Sequence, residues 1–217
     1  MTQAPIRLLL VGASGAVGHE VLIAALADAR IGKVIAPTRR PLTPHSKLQN
    51  PVVNFEHLPE SANWWRADIV ICTLGSTIKA AGSQAAFAVI DRDLPIQIGR
   101  LARQQGANCY ALNSALGARM GRNFYLRTKA EAEAGILALD YPSTIIVRPS
   151  LIEATREKKR NGEVLGVAVG RYLKPLIPRR YRPVKAEHIA HTMLEASLAA
   201  QLTPTGKRII ESENLHG

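Results

Sequence analysis

The 217-residue sequence has few aromatic residues, few acidic residues and no long apolar run. Aromatic side chains make up 5% of the chain against 47% for all hydrophobic residues, so the core must be largely aliphatic. No run approaches the ~20 apolar residues of a membrane-spanning helix, and no secretory signal is visible. The two cysteines, Cys72 and Cys109, lack a metal-binding spacing. We therefore expect a cytoplasmic protein with reduced thiols and no membrane association.

The shortage of acidic residues leaves a large positive charge. Against 28 Lys and Arg stand 17 Asp and Glu, which gives a formal net charge of +11. Such a charge favours nucleic acid or a small anion as the ligand. Basic clusters at residues 39–40, 156–160 and 179–182 come without a zinc finger, an aromatic RNA-binding motif or a basic heptad region. A solvated basic face explains most of this charge, and specific nucleic-acid binding is not favoured. The last two clusters are either solvated loops or surfaces that steer an anionic substrate or cofactor.

Short apolar runs alternate with stretches of helical periodicity. Strands are predicted at residues 6–11, 33–36, 52–55, 68–73, 108–113, 143–147 and 207–211, and helices at 16–29, 85–105, 123–139 and 185–202. This alternation predicts an α/β fold with a doubly wound parallel sheet of the Rossmann type. We expect one domain over residues 1–217, in which the irregular stretch 151–183 forms a small C-terminal substrate lobe.

Three glycines, Gly12, Gly15 and Gly18, stand where the first predicted strand meets the first predicted helix. In dinucleotide-binding folds the first glycine permits a tight turn, the second lets the pyrophosphate approach, and the third lets the helix pack on the strand. The free N–H groups and the positive end of the helix dipole then bind the phosphates. The sequence therefore predicts a dinucleotide site made of Gly12, Ala13, Ser14, Gly15, Ala16, Val17 and Gly18.

The residues after the second predicted strand choose between the nicotinamide cofactors. NAD-binding proteins of this fold carry an acidic residue there, which holds the ribose 2′-hydroxyl. Here the strand leads into Thr38, Arg39 and Arg40. Guanidinium groups bind phosphate through charge-assisted hydrogen bonds. We therefore predict NADP(H) in preference to NAD(H); the alternative is that both arginines are surface charges.

Tyr125 and Lys129 lie four residues apart in a predicted helix, so their side chains share one face. A nearby ammonium stabilises the phenolate and lowers the pKa of a tyrosine from about 10. Such a tyrosine can exchange a proton with a carbonyl or alcohol oxygen. Ser114 follows the preceding strand and is predicted to align that oxygen, although a helix cap or turn is an alternative role.

A series of motifs runs along nearly the whole chain in a family-specific order. These are Gly12-Ala-Ser-Gly-Ala-Val-Gly18, Thr38-Arg-Arg-Pro41, Cys72-Thr-Leu-Gly-Ser-Thr77, Ile90-Asp-Arg-Asp93, Asn113-Ser-Ala-Leu-Gly-Ala118, Tyr125-Leu-Arg-Thr-Lys129, Val147-Arg-Pro-Ser150 and residues 182–190. In these motifs the chain resembles the atypical, epimerase-like short-chain dehydrogenases/reductases, especially the bacterial relatives of the Tat-interacting oxidoreductase. It departs from them at Asn113, where relatives tend to carry a serine.

The resemblance implies further contacts with a bound NADP(H). Thr73, Leu74 and Gly75 would line the adenosine side, and Lys129 would touch the nicotinamide ribose. Arg148, Pro149 and Ser150 would lie near the nicotinamide end.

Three functions follow from these observations. The first is an NADP(H)-dependent oxidoreductase of a small carbonyl or alcohol, with Tyr125 as acid/base, Lys129 as its support and Ser114 as the aligning residue. The second is an NADP(H)-binding redox-sensing regulator or scaffold with little or no turnover. The third, least favoured, is a nucleic-acid-associated protein. His188 and His191 stand three residues apart in one predicted helix without a metal-binding motif around them, so no metal site is predicted. The protein is expected to be a monomer or a homodimer.

Two other pairs have structural interpretations. Asp91 and Asp93 are predicted to cap a helix or to contact arginines. Trp64 and Trp65 are predicted to serve as hydrophobic anchors or as a partner surface.

Overall fold

The computed structural model describes residues 4–153 and 178–216. Within them nine strands occur: β1 (Ile6–Val11), β2 (Ile31–Ile35), β3 (Leu48–Gln49), β4 (Ile69–Cys72), β5 (Cys109–Asn113), β6 (Ser143–Arg148), β7 (Ile152–Glu153), β8 (Val184–Lys185) and β9 (Gly206–Glu211). Seven of them form one parallel sheet in the order β3-β2-β1-β4-β5-β6-β9. The remaining two, β7 and β8, pair with each other.

The described α-helices are α1 (Ala16–Ala27), α2 (Ile78–Ala81), α3 (Gln84–Ala88), α4 (Leu94–Gln104), α5 (Phe124–Leu137) and α6 (Ala186–Leu202). Helices α1 and α6 cover one face of the sheet, where they pack on Leu8 and Leu10 of β1. Helices α4 and α5 cover the other face, where Leu9 and Val11 of the same strand point. None of these helices has the length and apolar character needed to cross a bilayer.

This arrangement confirms the predicted doubly wound α/β fold, since alternate residues of each strand enter one of two apolar layers. Trp65 is fully buried and its indole N–H donates to the Pro59 carbonyl at 2.8 Å, in agreement with a hydrophobic anchor. Most of the predicted substrate lobe, and with it the basic cluster at 156–160, falls in residues 154–177, outside the described residues.

Two predicted elements differ from the structure. The third strand is Leu48–Gln49 instead of residues 52–55, where only a bridge joins Thr38 to Val52. Pro51, which has no N–H to donate, interrupts the ladder there. The predicted helix 85–105 is divided by one π-helical turn, Val89–Asp93, just before Pro95 in the first turn of α4. A proline cannot donate to the preceding turn, and the wider turn accommodates it.

The carboxyl ends of all seven strands of the large sheet meet at one edge because the strands are parallel. The strand order reverses direction at β1, with β2 on one side and β4 on the other. In open α/β sheets ligands bind outside the carboxyl ends at such a switch point. The glycine turn, the Thr38 segment and residues 73–77 all follow strands of this group.

Candidate active site

The glycine turn is a tight backbone structure that excludes side chains. Gly12 has a φ of +92°, and a Cβ placed there would lie 2.6 Å from Thr73 Oγ1. A Cβ on Gly18 would lie only 2.1 Å from the Gly12 carbonyl oxygen. The Gly15 N–H donates to that same oxygen at 2.8 Å. Gly12 and Gly18 are therefore required for α1 to begin directly against β4.

A cleft of about 440 Å³ lies over this turn. It is lined by Gly12, Ser14, Gly15, Pro37, Thr38, Arg39, Phe55, Thr73, Leu74, Gly75, Ser76, Ala80, Ile90 and Leu94. Helix α1 begins at its floor, with Gly15 as the N-cap, no capping side chain and no acidic residue in the first turn. The first N–H groups of the helix and its dipole therefore favour an anion there. A backbone cradle that no side chain fills fits the pyrophosphate of a dinucleotide.

Predicted cofactor residues take different places around the cleft. Eight line it: Gly12, Ser14, Gly15, Thr38, Arg39, Thr73, Leu74 and Gly75. Ala13, Val17 and Gly18 are buried, and Ala16 half-buried, behind the glycine turn, while Arg40 is exposed outside the lining. Phe55 and Ala80 also line the cleft, and only the folded chain reveals them, because they come from loops and a short helix without a motif.

A second cavity, of about 490 Å³, lies between α1 and α6. Its walls include Ile23, His188 and His191, and none of the predicted site residues belongs to them. In the part of the chain that the structure describes, no group of three or more His, Cys, Asp or Glu side chains could hold a metal ion.

Thr38 fixes the loop that carries the two arginines. Its buried hydroxyl donates to the Arg40 carbonyl at 2.6 Å and accepts from Asn50 Nδ2 at 2.8 Å. Arg39 and Arg40 are exposed, and neither forms an ion pair with any described residue. Two cations that no described acidic residue neutralises therefore lie at the β2 side of the cleft.

Lys129 is buried, and its ammonium forms an ion pair with Asp91 in the π-helical turn. Nζ lies 2.7 Å from Asp91 Oδ1, while Asp91 Oδ2 accepts from the Ser76 N–H at 2.9 Å. Burial raises the pKa of Asp91, and the Lys129 ammonium acts against that rise. Both aspartates were predicted to cap a helix or to contact an arginine. Asp93 does contact Arg92, at 2.7 Å. Asp91 instead pairs with Lys129.

Gly75 lies directly over this ion pair. A Cβ placed on Gly75 would lie 3.6 Å from Asp91 Oδ1 and 3.8 Å from Lys129 Nζ. Gly75 was expected on the adenosine side and Lys129 at the nicotinamide ribose, yet the structure brings the two together. The ammonium is therefore next to the wall of the cleft.

Tyr125 stands one helical turn before Lys129 in the first turn of α5. Its half-buried ring packs on Phe87, with ring centroids 5.5 Å apart. The side chain of Asn123 caps the helix by accepting from the Leu126 N–H at 3.0 Å. Tyr125, Lys129 and Glu133 follow one another at four-residue spacing, so they form a row along one face of α5.

Ser114 and Arg148 meet on Glu133, the third member of this row. The Ser114 hydroxyl donates to Glu133 Oε1 at 2.5 Å. Arg148 donates through Nε to Oε1 at 2.9 Å and through Nη2 to Oε2 at 2.5 Å, and its Nη1 reaches Glu211 at 3.0 Å. These bonds raise the pKa of Arg148 above its ordinary value. The Ser114 hydroxyl donates its only hydrogen to Glu133, so it can only accept a hydrogen bond from another partner.

Pro149 and Ser150 were expected near the nicotinamide end of the cofactor. In the structure they form hydrogen bonds between loops and do not line the cleft. The Pro149 carbonyl accepts from the Leu116 N–H at 2.8 Å. Ser150 donates its hydroxyl hydrogen to the Arg182 carbonyl and its N–H to Ser212 Oγ.

Sequence comparisons identify relatives that match most of the chain. The chain is 31% identical over 170 residues to the mitochondrial protein fmp52 of Emericella nidulans, which covers 73% of this chain and 72% of that protein. It is 32% identical over 164 residues to HTATIP2 of Rattus norvegicus, with 73% and 67% covered. The match to mitochondrial FMP52 of Eremothecium gossypii is 28% identical and covers 95% and 94%. No protein-family model matches the sequence.

Solved structures with the same fold include a complex with a sugar nucleotide and NAD and an oxidoreductase of the short-chain dehydrogenase/reductase family. MoeE5 in complex with UDP-glucose and NAD superposes with a TM-score of 0.70 at 14% identity, over 96% of this chain and 79% of its own. A short-chain dehydrogenase/reductase-family oxidoreductase from Burkholderia thailandensis gives 0.69 at 17% identity, over 99% and 94%. At these identities the likeness establishes the fold.

The expected cytoplasmic location is wrong in the light of these relatives. The FMP52 proteins of Emericella nidulans, Aspergillus fumigatus and Eremothecium gossypii are all named mitochondrial. The composition and the lack of a visible secretory signal did not indicate the mitochondrial location given for these relatives.

Proposed function

The chain belongs to the family of HTATIP2 and the FMP52 proteins and has the epimerase-like short-chain dehydrogenase/reductase fold, and we propose that it is an NADP(H)-dependent oxidoreductase acting on a small carbonyl or alcohol. One juxtaposition carries the proposal. The cleft combines an open helix N-terminus with Arg39, which forms no ion pair with the residues that the structure describes. The buried Lys129 ammonium lies next to its wall, one helical turn from Tyr125.

The chain's own groups supply the binding of the dinucleotide. The N–H groups at the start of α1 would hold the pyrophosphate, and Arg39, with Arg40 beside it, would pair with the 2′-phosphate of NADP(H). Neighbours solved as complexes with NAD support a nicotinamide dinucleotide in this fold. When bound, the reduced nicotinamide would supply the hydride that a carbonyl carbon accepts.

The proton for the carbonyl oxygen would come from the Tyr125 phenol. The Lys129 ammonium, one turn along α5, stabilises the phenolate that is left until a proton from solvent replaces the one lost. Ser114 offers lone pairs, because its hydrogen is held by Glu133. We therefore assign Ser114 the acceptor role, toward an alcohol hydroxyl, in place of donation to a carbonyl.

The test is NADPH oxidation with a panel of aldehydes, ketones and quinones. Tyr125→Phe should lower kcat/KM by about 100-fold or more, the usual size of a general-acid contribution. NADPH affinity, measured by calorimetry, should stay within about twofold, since the phenol contributes to proton transfer. Tyr141→Phe is the matched control, because the Tyr141 hydroxyl donates to the Gly99 carbonyl at 2.6 Å, away from the cleft. Undiminished turnover in Tyr125→Phe would contradict the proposal.

One observation favours the regulator or scaffold as the second candidate. Lys129 and Ser114 already have charged partners, Asp91 and Glu133, and a carboxylate beside Lys129 weakens its field at Tyr125. A protein that senses NADP(H) without turnover would tolerate such pairing. Tight NADPH binding with no oxidation by any carbonyl of the panel would favour it. In either case we propose a small molecule as the ligand and a monomer or homodimer as the assembly.

A further inference from the structure

Two arginines lie in the loop that connects β5 to α5, residues 114–123. Arg119 and Arg122 are both exposed, and neither forms an ion pair with a residue that the structure describes. Arg127, in the first turn of α5, differs from them because it reaches Glu131 at 3.6 Å. The loop itself contains no acidic residue. It therefore carries two positive charges that no described carboxylate neutralises.

Hydrogen bonds hold this loop against the start of α5, where Tyr125 lies. The Arg119 N–H donates to the Leu126 carbonyl at 3.3 Å, and the Arg127 guanidinium donates to the Gly121 carbonyl at 3.5 Å. The backbone of Arg119 is thus bonded to the residue that follows Tyr125 in the chain. The two cations of the loop are therefore neighbours of the group that would donate a proton in the proposed reaction.

The neighbouring loops add charge of the same sign. Backbone hydrogen bonds of 2.8 Å join the loop after β5 to the loop after β6, and that loop to the segment 178–184. Arg179 and Arg180 in this segment are exposed and have no ion-pair partner among the described residues. Glu153, an exposed carboxylate of the same region, stands opposite Lys185 in the β7–β8 pair. Positive charge is therefore in excess at the carboxyl ends of β5 and β6.

The arginines of the β5 loop are distant from those proposed to bind the 2′-phosphate of the cofactor. Arg39 follows β2, whereas Arg119 and Arg122 follow β5, and both β1 and β4 lie between those strands. Neighbouring strands are about 4.8 Å apart, so the two places are separated by roughly 14 Å. The nicotinamide end of NADP(H) has no 2′-phosphate of its own. The positive charge at β5 therefore favours an anion other than the cofactor.

We infer that Arg119 and Arg122 select a substrate with an anionic group, a carboxylate or a phosphate, which they bind while its carbonyl meets Tyr125. This inference rests on the proposed function, since it takes Tyr125 as the proton donor. Guanidinium groups bind both kinds of anion through paired, charge-assisted hydrogen bonds. The anionic group does not change during the reaction, so its contacts are equal in the ground state and the transition state. The two arginines therefore act on KM more than on kcat.

Two matched pairs of aldehydes test the inference through the rate of NADPH oxidation. 4-Carboxybenzaldehyde is compared with its methyl ester, and glyceraldehyde 3-phosphate with glyceraldehyde, so the pairs distinguish a carboxylate from a phosphate. In at least one pair the anionic member should have a kcat/KM about tenfold or more above the neutral member, the scale of a hydrogen bond to a charged group. Arg119→Ala combined with Arg122→Ala should bring this ratio to within about twofold of unity, by raising KM for the anionic aldehyde.

Lys207→Ala combined with Arg208→Ala is the matched control. Both residues are exposed near the amino end of β9, at the opposite edge of the sheet, and the change removes the same two charges. The ratio should stay at its original value in this control. Turnover of neutral carbonyls without a preference for the anionic member of either pair overturns the inference while the proposed function stands. So does a preference that survives the loss of Arg119 and Arg122, or that falls equally in the control. If no carbonyl oxidises NADPH, the proposed function fails, and the inference fails with it.

Discussion

At the residue scale, Gly18 is the described glycine at which an added Cβ would meet the closest atom. Its Cβ would lie 2.1 Å from the Gly12 oxygen, 2.6 Å from the Gly12 carbonyl carbon and 2.6 Å from Thr73 Oγ1, and two of these atoms belong to the backbone of the glycine turn. Backbone cannot rotate away as a flexible side chain can. The third glycine therefore serves the packing of α1 against β1 and β4 as much as it serves a ligand.

Gly18→Ala should lower the free energy of unfolding by about 3 kcal/mol, at the upper end of overpacking costs, because the helix must move away from the turn. Thermal unfolding of the ligand-free protein measures it. Gly121→Ala, where nothing lies within 4 Å of the added Cβ, should stay within about 0.5 kcal/mol of the parent. Equal free energies of unfolding for the Gly18 and Gly121 variants would contradict this packing, because they would show that α1 can move away from the turn without loss of stability.

Two carboxylates hold the site together, and the sequence predicted a different role for Asp91 and none for Glu133. Asp91 and Glu133 are ordinary acidic residues in helical segments, and such residues are most often solvated. The sequence does indicate that Glu133 lies near the site, since it follows Tyr125 and Lys129 on the same helix face by one more turn. The burial of Asp91 depends on the π-helical turn, whose extra residue rotates the following side chains in a way that a regular helical pattern does not contain.

At the element scale, an ion-pair cluster joins α1 to α6 on the sheet face behind the site. Asp28, which follows α1, pairs with Arg30 at 2.6 Å, and Arg30 also reaches Glu195 of α6 at 2.5 Å. The side-chain hydrogen bonds from Arg30 lower the pKa of Asp28 below its ordinary value, although burial acts in the opposite direction. A carboxyl whose pKa is lower in the folded state stabilises the fold only while it is ionised.

Asp28→Asn should therefore cost about 0.5–1 kcal/mol at pH 7, the range for a partly exposed pair. The contribution of Asp28 is present above its unfolded pKa of roughly 4 and is lost as pH falls through the lower folded value. The difference in the free energy of unfolding, followed by urea denaturation, should shrink toward zero as the pH falls through the lowered folded-state pKa of Asp28. Glu56→Gln, an exposed carboxylate without an ion pair in the described chain, is the control. A difference that grows as the pH falls would contradict the assignment.

The elements with clear patterns were predictable from the sequence, and those that depend on neighbours were not. The β1 strand matches its predicted bounds because a buried parallel strand is a continuous apolar run ended by a glycine turn. The helix over 123–139 was expected from its periodicity, and it runs Phe124–Leu137 with Asn123 as the cap. Strand β3 has only two residues and pairs with the end of β2, so its position depends on the loop and on Pro51.

At the scale of the whole molecule, the two thiols lie in opposite apolar layers of one sheet. Cys109 belongs to the layer of α1 and α6, and Cys72 to the layer of α4 and α5. Burial raises the pKa of the Cys109 thiol to about 12 and raises that of Cys72 as well. Neither thiol can ionise or meet a reagent unless the sheet opens.

Both cysteines should therefore resist a thiol reagent at pH 8 and react together, through the globally unfolded state. Labelling followed by mass spectrometry measures this, with the urea-unfolded protein as the fully reactive control. Saturating NADPH should slow both reactions, because a ligand that binds only the folded state lowers the unfolded population. Rapid labelling of one cysteine in the native protein would contradict the two-layer packing.

The proposed oxidoreductase function depends on an NADP(H) site between β2 and β4, and calorimetric titration with NADPH and NADH tests it most directly. Arg39 and Arg40 have no acidic partner in the described chain, so they should make NADPH bind at least about tenfold tighter than NADH, as expected for charge-assisted bonds to a phosphate. Arg39→Ala combined with Arg40→Ala should bring the two affinities together by weakening NADPH alone. Equal affinity of the unsubstituted protein for NADPH and NADH would contradict the account.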